Sequence, residues 1–227
     1  MNKVIAFLPL RKGSQRVKNK NIKDFAEIKG GLTFIKISQL LNSKKIDKII
    51  VSTNDPKVIS IVLSFKSGKI FIDDRPQHLA TSDSSTDELI NYVPSIVKHG
   101  VVVWTHVTSP FLTESHYDDM IEKYFENLNK NDSLLSVTKL QKYIWDKDKP
   151  LNYDKIIEKW PRTQTIEPLY EINSGAFITD IQVYKTYNDR VGKRPYLYVL
   201  NEKESFDIDW QDDFDIAEVL WNKYGNL

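Results

Sequence analysis

Short apolar runs alternate with longer amphipathic segments through the first part of the chain. The runs are rich in β-branched residues, and their nearly continuous apolar character is typical of strands buried on both faces of a parallel sheet. We predict such strands at Val4–Leu8, Lys48–Ser52, Lys69–Ile72, Val101–His106 and Ser133–Val137.

The segments between these runs carry apolar residues at helical spacing. Gly30 and Gly31 precede the first of them, and Thr113 is placed to cap the last. Repeated strand–helix–strand units favour right-handed crossovers. The pattern therefore predicts an α/β fold, a doubly wound and mostly parallel sheet covered on both faces. The predicted helices are Leu32–Ser43, Pro56–Phe65, Thr86–Lys98 and Glu114–Leu128.

The regular alternation stops after Val137. Residues 138–171 are rich in aromatic residues and proline and show no clear period. Two interpretations are open: an arm or insertion that covers the site or joins a second subunit, and a loop packed on its own domain. Regular patterning then returns with predicted strands at Ile172–Ile178 and Tyr196–Leu200 and a helix at about Asp212–Tyr224.

Composition limits the classes of protein to consider. A chain of 227 residues fits one domain, residues 1–227, with 138–171 as the arm or insertion. A net charge of +1 gives no global field for nucleic acid or anionic membrane. The absence of cysteine excludes disulfides, thiolate metal sites and a cysteine nucleophile. No apolar run approaches the roughly 20 residues that span a bilayer, so we expect a cytoplasmic protein with no membrane or nucleic-acid partner.

The loop after the first predicted strand is strongly basic. Five of the ten residues from Arg11 to Lys20 are Lys or Arg, and Gly13 allows close approach of the backbone to a ligand. Ligands of open α/β sheets bind at the carboxyl ends of strands, where Arg and Lys match phosphate oxygens. The spacing is neither that of the P-loop nor the dinucleotide fingerprint. This position favours a polyphosphate site over a solvated charged face, and no aromatic residue is interleaved to stack a nucleic-acid base.

A pair of aspartates near the end of the chain is the second candidate. In extended backbone, Asp207 and Asp209 project to one side while Ile208 faces the interior. Mg²⁺ is usually held by one or two carboxylates plus substrate phosphates. The alternative is an acid pair on the surface without a ligand. The acidic residues that follow are expected to cap and charge the last helix, namely Asp212, Asp213 and Asp215.

Several short motifs occur in a fixed order along nearly the whole chain. Each is weak alone, but the series resembles the acylneuraminate cytidylyltransferase family, whose members make CMP-activated nonulosonic acids. The motifs are Leu8-Pro9-Leu10-Arg11-Lys12-Gly13-Ser14 through Lys20-Asn21-Ile22, Val51-Ser52-Thr53-Asn54-Asp55, Arg75-Pro76 with Leu79-Ala80, Thr108-Ser109-Pro110, Arg162-Thr163-Gln164, Asn173-Ser174-Gly175-Ala176 and Asp207-Ile208-Asp209. The resemblance implies a nucleotide-diphospho-sugar transferase-like Rossmann variant with a small dimerisation arm exchanged in a homodimer.

The resemblance also implies roles for residues. Arg11, Asp207 and Asp209 would be catalytic, and the two aspartates would bind Mg²⁺ or Mn²⁺. The residues implied to bind the nucleotide are Leu8, Arg11, Gly13, Ser14, Lys20, Asn21, Arg75, Ser82, Ser85 and Thr86. Those implied to bind the acceptor are His106, Thr108, Arg162, Gln164 and Asn173.

Two residues depart from the pattern of many sialic-acid-activating members. His106 stands where they have glutamine, and Ser174 follows Asn173 where they often have glycine. His106 is a candidate general base, an acceptor ligand or a packed, hydrogen-bonded histidine.

Together the residues and the resemblance predict a Mg²⁺-dependent cytidylyltransferase that moves CMP from CTP to an acidic sugar and releases pyrophosphate. Sialic, legionaminic, pseudaminic and octulosonic acids remain open as acceptors. The alternatives are a phosphorylated or phosphonate acceptor, a glycosyltransferase with a metal-binding acid pair, and a non-catalytic nucleotide-binding module of the same fold.

Overall fold

The computed structural model describes residues 3–225, which contain seven strands in one sheet and six α-helices. The strands are β1 (Val4–Leu10), β2 (Lys48–Thr53), β3 (Ile70–Asp74), β4 (Val101–Trp104), β5 (Ser133–Leu140), β6 (Leu169–Asp180) and β7 (Pro195–Leu200). The helices are α1 (Gly31–Asn42), α2 (Pro56–Ser64), α3 (Thr86–Ile96), α4 (Glu114–Glu126), α5 (Ile181–Tyr187) and α6 (Gln211–Tyr224).

The sheet is open and mostly parallel, with the strand order β3-β2-β1-β4-β6-β5-β7. β1 pairs in parallel with β2 and β4, and β5 pairs in parallel with β7. Only β6 runs antiparallel to its neighbours β4 and β5 among the described strands. The predicted doubly wound α/β fold is confirmed.

Alternating side chains of the strands feed two cores, one on each face of the sheet. On β1, Ala6 and Leu8 pack into the core under α1, α2, α4 and α6, whereas Ile5 and Phe7 pack into the core under α3 and α5. This period of two is what a strand buried on both faces requires. The first core also contains Ile208, so the tail segment is fixed to that face.

Some predicted boundaries were wrong. The strand predicted to reach His106 ends at Trp104, where the chain turns into the site. Helix α5 was missed because its β-branched residues continue the apolar pattern of β6. Asp180 caps the start of this helix, since its carboxylate accepts from the Gln182 N–H at 2.9 Å. The predicted cap of α4 is confirmed, since Thr113 precedes that helix and its N–H donates to His116 Nδ1 at 3.0 Å.

Residues 141–168 connect the antiparallel strands β5 and β6 at the sheet edge where β1 ends. The segment has a small core of its own, in which the ring of Tyr143 packs edge-on against Tyr153 and Trp160. Large apolar side chains remain outside it: Ile156 is 94% exposed and Ile157 is 85% exposed. These exposed residues favour the arm interpretation over a loop covered by its own domain.

Across residues 3–225, none of the helices combines the length and apolar character that a bilayer-spanning segment needs.

Candidate active site

The basic loop and the acid pair meet at the carboxyl edge of the sheet. Arg16 Nη1 lies 2.9 Å from Asp209 Oδ2, and Lys20 Nζ lies 3.9 Å from Asp209 Oδ1. Lys20 Nζ also donates to the Ile208 carbonyl at 2.5 Å. Residues almost two hundred positions apart in sequence therefore form one site.

Lys20 fastens the tail to the loop. Its side chain is nearly buried, and burial lowers the pKa of its ammonium group, while Asp209 and Asp207 act in the opposite direction. The Arg16–Asp209 pair is half-exposed on both sides, so it contributes little to stability. A bound ligand can therefore displace this ion pair and contact Arg16 or Asp209 itself.

The acid pair lies in a segment without regular secondary structure rather than in a strand. Ile208 nevertheless faces the interior, as predicted. It is fully buried, and its N–H donates to the Thr108 carbonyl at 2.9 Å. Asp207 and Asp209 line one cavity of about 500 Å³, here called the acid-pair cavity, together with Glu171, Ile172, Asn173, Ser174, Ser205, Trp210 and Asp213.

Of the two carboxylates of the acid pair, Asp207 is the one that a bound cation would stabilise more. Burial raises its pKa, and the nearby Thr108 hydroxyl counteracts part of that rise. Its Oδ1 is buried and has no hydrogen-bond partner among the described residues. Among those residues, no cluster of three or more His, Cys, Asp or Glu side chains is arranged to hold a metal. Two carboxylates, one orphaned, fit Mg²⁺, which takes its other ligands from phosphates and water.

Asp213 has the predicted capping role. Its Oδ2 accepts from the N–H groups of Asp209 and Trp210 at 3.0 and 2.7 Å. These bonds fix the backbone of the metal-ligand candidate to the first turn of α6.

Arg11 lies between two further cavities. The loop cavity, of about 280 Å³, is lined by Pro9, Arg11, Ser14, Gln15, Arg16, Val17, Lys20 and Asn21. The central cavity, of about 350 Å³, is lined by Pro9, Arg11, Arg75, Leu79, Thr81, Ser84, Ser85, Thr86, Leu89, Trp104, His106, Ser174 and Arg190. Most of the residues predicted to bind the nucleotide are therefore adjacent, namely Arg11, Ser14, Lys20, Asn21, Arg75, Ser85 and Thr86.

Three predicted nucleotide residues line neither cavity. Leu8 is fully buried, because the strand alternation turns it into the core and gives the cavity side to Pro9. Gly13 adopts a positive φ of 82°, which suits glycine, in an exposed loop position that lines neither cavity. Ser82 is exposed and donates to Asp83, while its neighbours Thr81 and Ser84 face the cavity.

Arg75 is held rigidly in the central cavity. Its Nε donates to Ser52 Oγ at 3.2 Å and its Nη2 to the Ser52 carbonyl at 2.9 Å. Burial lowers the pKa of Arg75 to about 10, so the group remains a cation at neutral pH. It offers its remaining donors in a fixed direction.

His106 is held as a neutral ring. Trp104 Nε1 donates to its Nε2 at 3.0 Å, and an indole nitrogen can only donate. Burial, reinforced by Arg190 and other cations, lowers the pKa of His106 to about 3. The ring proton therefore resides on Nδ1, and His106 presents a donor rather than the free lone pair of a general base.

The other acceptor candidates divide into two groups. Thr108 and Asn173 lie beside the acid pair, where Asn173 Oδ1 accepts from Ser136 Oγ at 2.7 Å and its Nδ2 donates to Thr138 Oγ1 at 3.1 Å. Arg162 and Gln164 are exposed on the arm and line none of these cavities. These two residues are therefore not brought to the described cavities within one chain.

The sequence comparison decides the family. Residues 5–224 match the family model described as cytidylyltransferase. The chain belongs to the cytidylyltransferase family.

Two curated relatives and one solved structure give the context. The chain is 28% identical to "N-acylneuraminate cytidylyltransferase" of Escherichia coli O18:K1:H7 over 97% of its length, and spans 52% of that protein. It is 25% identical to "Pseudaminic acid cytidylyltransferase" of Campylobacter jejuni subsp. jejuni serotype O:23/36, covering 96% of both chains. The fold resembles CMP:2-keto-3-deoxy-manno-octonic acid synthetase complexed with CTP, with a TM-score of 0.69, 14% identity, and 97% and 99% of the two chains covered.

Two site residues of this cytidylyltransferase, Arg16 and Arg190, were not among the predicted ones. Arg16 belongs to the basic run, and its pairing with Asp209 is visible only in three dimensions. Ser174, which the sequence marked as a departure, lines both the central and acid-pair cavities with a positive φ of 57°, a conformation uncommon for residues other than glycine. Arg190 lies in a loop after the missed helix α5, so no periodic pattern pointed to it.

Proposed function

We propose that this protein transfers CMP from CTP to an acidic sugar acceptor of the nonulosonic acid class, with release of pyrophosphate. The observation that carries the proposal is the contact of the basic loop with the acid pair at the carboxyl edge of the sheet. Family membership and the acceptors in the relatives' names support it.

The reaction needs positioning and charge stabilisation more than covalent help from the protein. The oxygen of the acceptor's hydroxyl forms a bond to the α-phosphorus of CTP. The bond from that phosphorus to its bridging oxygen breaks, pyrophosphate leaves with the electron pair, and the hydroxyl proton passes to solvent. Arg11 and Arg16, which line the same cavity, would stabilise the charge on the departing pyrophosphate.

Asp207 and Asp209 would hold Mg²⁺ or Mn²⁺ in this reaction. The bound metal would lower the pKa of the acceptor hydroxyl and offset the negative charge of the phosphates. Arg16 would then release Asp209 and turn toward phosphate, an exchange that their half-exposed pair permits.

We also propose that the protein is a cytoplasmic homodimer. The arm carries the apolar side chains that a second copy would cover, with Ile156, Ile157 and Trp160 all more exposed than buried. The same arm carries Arg162 and Gln164, which would then reach the acceptor site of the partner.

The direct test is a screen for pyrophosphate release. Purified protein with Mg²⁺ is incubated with each nucleoside triphosphate and a panel of acidic sugars. We expect pyrophosphate release only when CTP and a nonulosonic acid are both present. Release only with phosphorylated or phosphonate acceptors would identify that alternative class. CTP binding without any release would indicate a non-catalytic module, and turnover of a nucleotide sugar would indicate a glycosyltransferase.

A further inference from the structure

Asp73 lies near the end of β3 and accepts hydrogen bonds from two hydroxyl groups. Its Oδ2 accepts from Ser52 Oγ at 2.7 Å, and its Oδ1 accepts from Tyr92 Oη at 2.9 Å. The parallel register pairs Ser52 with Asp73 across β2 and β3, whereas Tyr92 comes from α3. Among residues 3–225, none of the ion pairs includes this carboxylate. Asp73 therefore joins three elements through neutral donors.

The hydrogen bonds that link Arg75 to Asp73 run in one direction. A guanidinium can only donate, so Arg75 Nε–H donates to Ser52 Oγ at 3.2 Å. The single hydroxyl proton of Ser52 is then free for Asp73, whose ionised carboxylate can only accept. The carboxylate thus orients the Ser52 hydroxyl so that its oxygen lone pair faces the guanidinium. We call this chain of bonds the Arg75–Ser52–Asp73 relay.

Arg75 needs this support because it is a buried cation near a second cation. Burial lowers the pKa of Arg75, the nearby Asp73 carboxylate opposes that fall, and the charge of Arg11 adds to it. Arg11 and Arg75 line the same central cavity. A desolvated cation that a like charge repels keeps one orientation only where hydrogen bonds and an opposite charge stabilise it. The relay supplies both.

Tyr92 connects the same carboxylate to another wall of the central cavity. Leu89 lines that cavity and precedes Tyr92 by three residues on α3. Burial and the hydrogen bond to Asp73 raise the pKa of the Tyr92 hydroxyl to about 12, so it remains a donor at neutral pH. Asp73 therefore contacts both the helix and the relay that border the cavity.

We propose that Asp73 is a positioning residue that acts through the Ser52 hydroxyl and holds the Arg75 guanidinium in the orientation that binds CTP. Asp73 lines none of the three cavities of the site, so it acts through Arg75 and does not touch the nucleotide. This inference rests on the proposed function, and it adds the carboxylate on which the role of Arg75 depends.

The direction of the effect separates positioning from simple electrostatics. CTP is an anion, so loss of a nearby negative charge would by itself strengthen its binding. Loss of a fixed guanidinium weakens binding instead, because the hydrogen bonds to the ligand are no longer prearranged. The Kd for CTP is measured by isothermal titration calorimetry without acceptor. The KM for CTP and kcat come from the pyrophosphate-release assay.

Asp73→Asn keeps the shape of the side chain but removes its charge and one acceptor. We expect the Kd and the KM for CTP to rise about tenfold, with kcat at saturating CTP within a few-fold of wild type. Asp74→Asn is the matched control, because it removes the same charge from the exposed neighbouring residue of β3. This control should leave the Kd and the KM unchanged.

Two further variants test the relay itself. Ser52→Ala removes the intermediate hydroxyl and should raise the Kd for CTP about tenfold, also in the event that Asp73→Asn does not fold. Adding Asp73→Asn to Ser52→Ala should then cause no further loss, because both changes break the same relay. Tyr92→Phe removes only the bond to α3 and should raise the Kd by about threefold at most.

The outcomes distinguish this inference from the proposed function. A Kd for CTP that is unchanged or lower in folded Asp73→Asn, or unchanged in Ser52→Ala, would overturn the role of Asp73. Additive losses in the double variant would overturn it too, as would a loss in Tyr92→Phe equal to that in Asp73→Asn, since Asp73 would then only attach α3 to the sheet.

The wild-type protein provides the remaining distinction. Binding of CTP without pyrophosphate release for any acceptor would contradict the proposed function, while the comparison of Kd values would still decide the role of Asp73. Absence of CTP binding would overturn both.

Discussion

His106 illustrates how one hydrogen bond decides the chemistry available to a residue. The sequence left it as a general base, an acceptor ligand or a packed histidine. The bond from Trp104 occupies Nε2, which removes the lone pair a base would need at neutral pH. What remains is a neutral donor at the wall of the central cavity.

The shifted pKa of His106 predicts a specific pH dependence of stability. The native pKa is about 3 and the ordinary value is 6.5, so between these values the unfolded state binds more protons. His106 therefore favours folding above pH 6.5, and that contribution is lost as the pH falls. Between about pH 7.5 and about pH 5.5, wild type should lose about 1 kcal/mol more stability than His106→Gln.

Urea unfolding at the two pH values measures this difference. His78→Gln, which replaces an exposed histidine, serves as the control and should follow wild type. Parallel losses of stability in wild type and His106→Gln would show that the ring is protonated in the native state.

Residue-scale prediction from sequence worked where a short motif fixed the geometry. Arg11, Asn21 and Asp207 came from such motifs, and each lines a cavity of the site. The prediction that Leu8 binds the nucleotide was wrong, because side chains alternate along β1 and that of Leu8 points into the core. The same period of two in the sequence could have revealed this. Arg190 had no local signal, since its guanidinium stacks on Trp104 and Phe177, contacts that no periodic pattern in the sequence marks.

At the scale of elements, the start of α3 combines structural and binding residues. Ser85 caps this helix: its Oγ accepts from the Glu88 N–H at 3.1 Å, and Glu88 Oε2 accepts from the Ser85 N–H at 2.8 Å. This reciprocal arrangement satisfies two backbone donors that the first turn leaves free. The cap therefore holds Ser85 and Thr86 in place on the central cavity.

Replacing Ser85 and Ser82, two of the three serines predicted to bind the nucleotide, should separate these roles. Ser85→Ala should destabilise the protein by about 1 kcal/mol and raise the KM for CTP, because the first turn of α3 loosens. Ser82→Ala should change neither quantity, since Ser82 is exposed and lines no part of the cavity. Thermal unfolding and initial-rate kinetics of both variants check this. Equal behaviour of the two would show that the cap does not organise the cavity.

The periodic elements were predictable because buried parallel strands and amphipathic helices carry strong patterns. β6 and α5 were harder, because only Thr179 and Asp180 separate the apolar residues of Ile172–Ile178 from Ile181 and Val183. Only the capping bond of Asp180 marks where the strand ends and the helix begins. Local patterns of this kind cannot show which strand runs antiparallel, since pairing depends on contacts distant in sequence.

At the scale of the whole molecule, the arm predicts a dimer with shared sites. Ile157→Asp places a charge on an exposed apolar position, so it should leave the fold of one chain unchanged and weaken association. Light scattering should give the mass of a dimer for wild type and a smaller mass for this variant. A wild-type monomer at the concentrations of the activity assay would contradict the proposal.

Mixing of inactive chains tests whether the arm acts on the partner. Arg162→Ala and Asp209→Asn impair different parts of the site, and a mixed dimer contains one site with both residues intact. Mixing the two variants should restore about one quarter of the wild-type activity if subunits exchange freely. No recovery, in chains shown to exchange, would assign Arg162 to its own subunit.

The central claim is that the basic loop near the start of the chain and the acid pair near its end form one metal-dependent site. Its most direct test is the rate of pyrophosphate release from CTP with Mg²⁺ and the preferred acceptor in wild type, Asp209→Asn and Asp212→Asn. Asp212 lies in the exposed first turn of α6 and provides a matched loss of one carboxylate. We predict a loss of about a hundredfold or more for Asp209→Asn and a rate within a few-fold of wild type for Asp212→Asn. A rate for Asp209→Asn close to that of wild type would contradict the account.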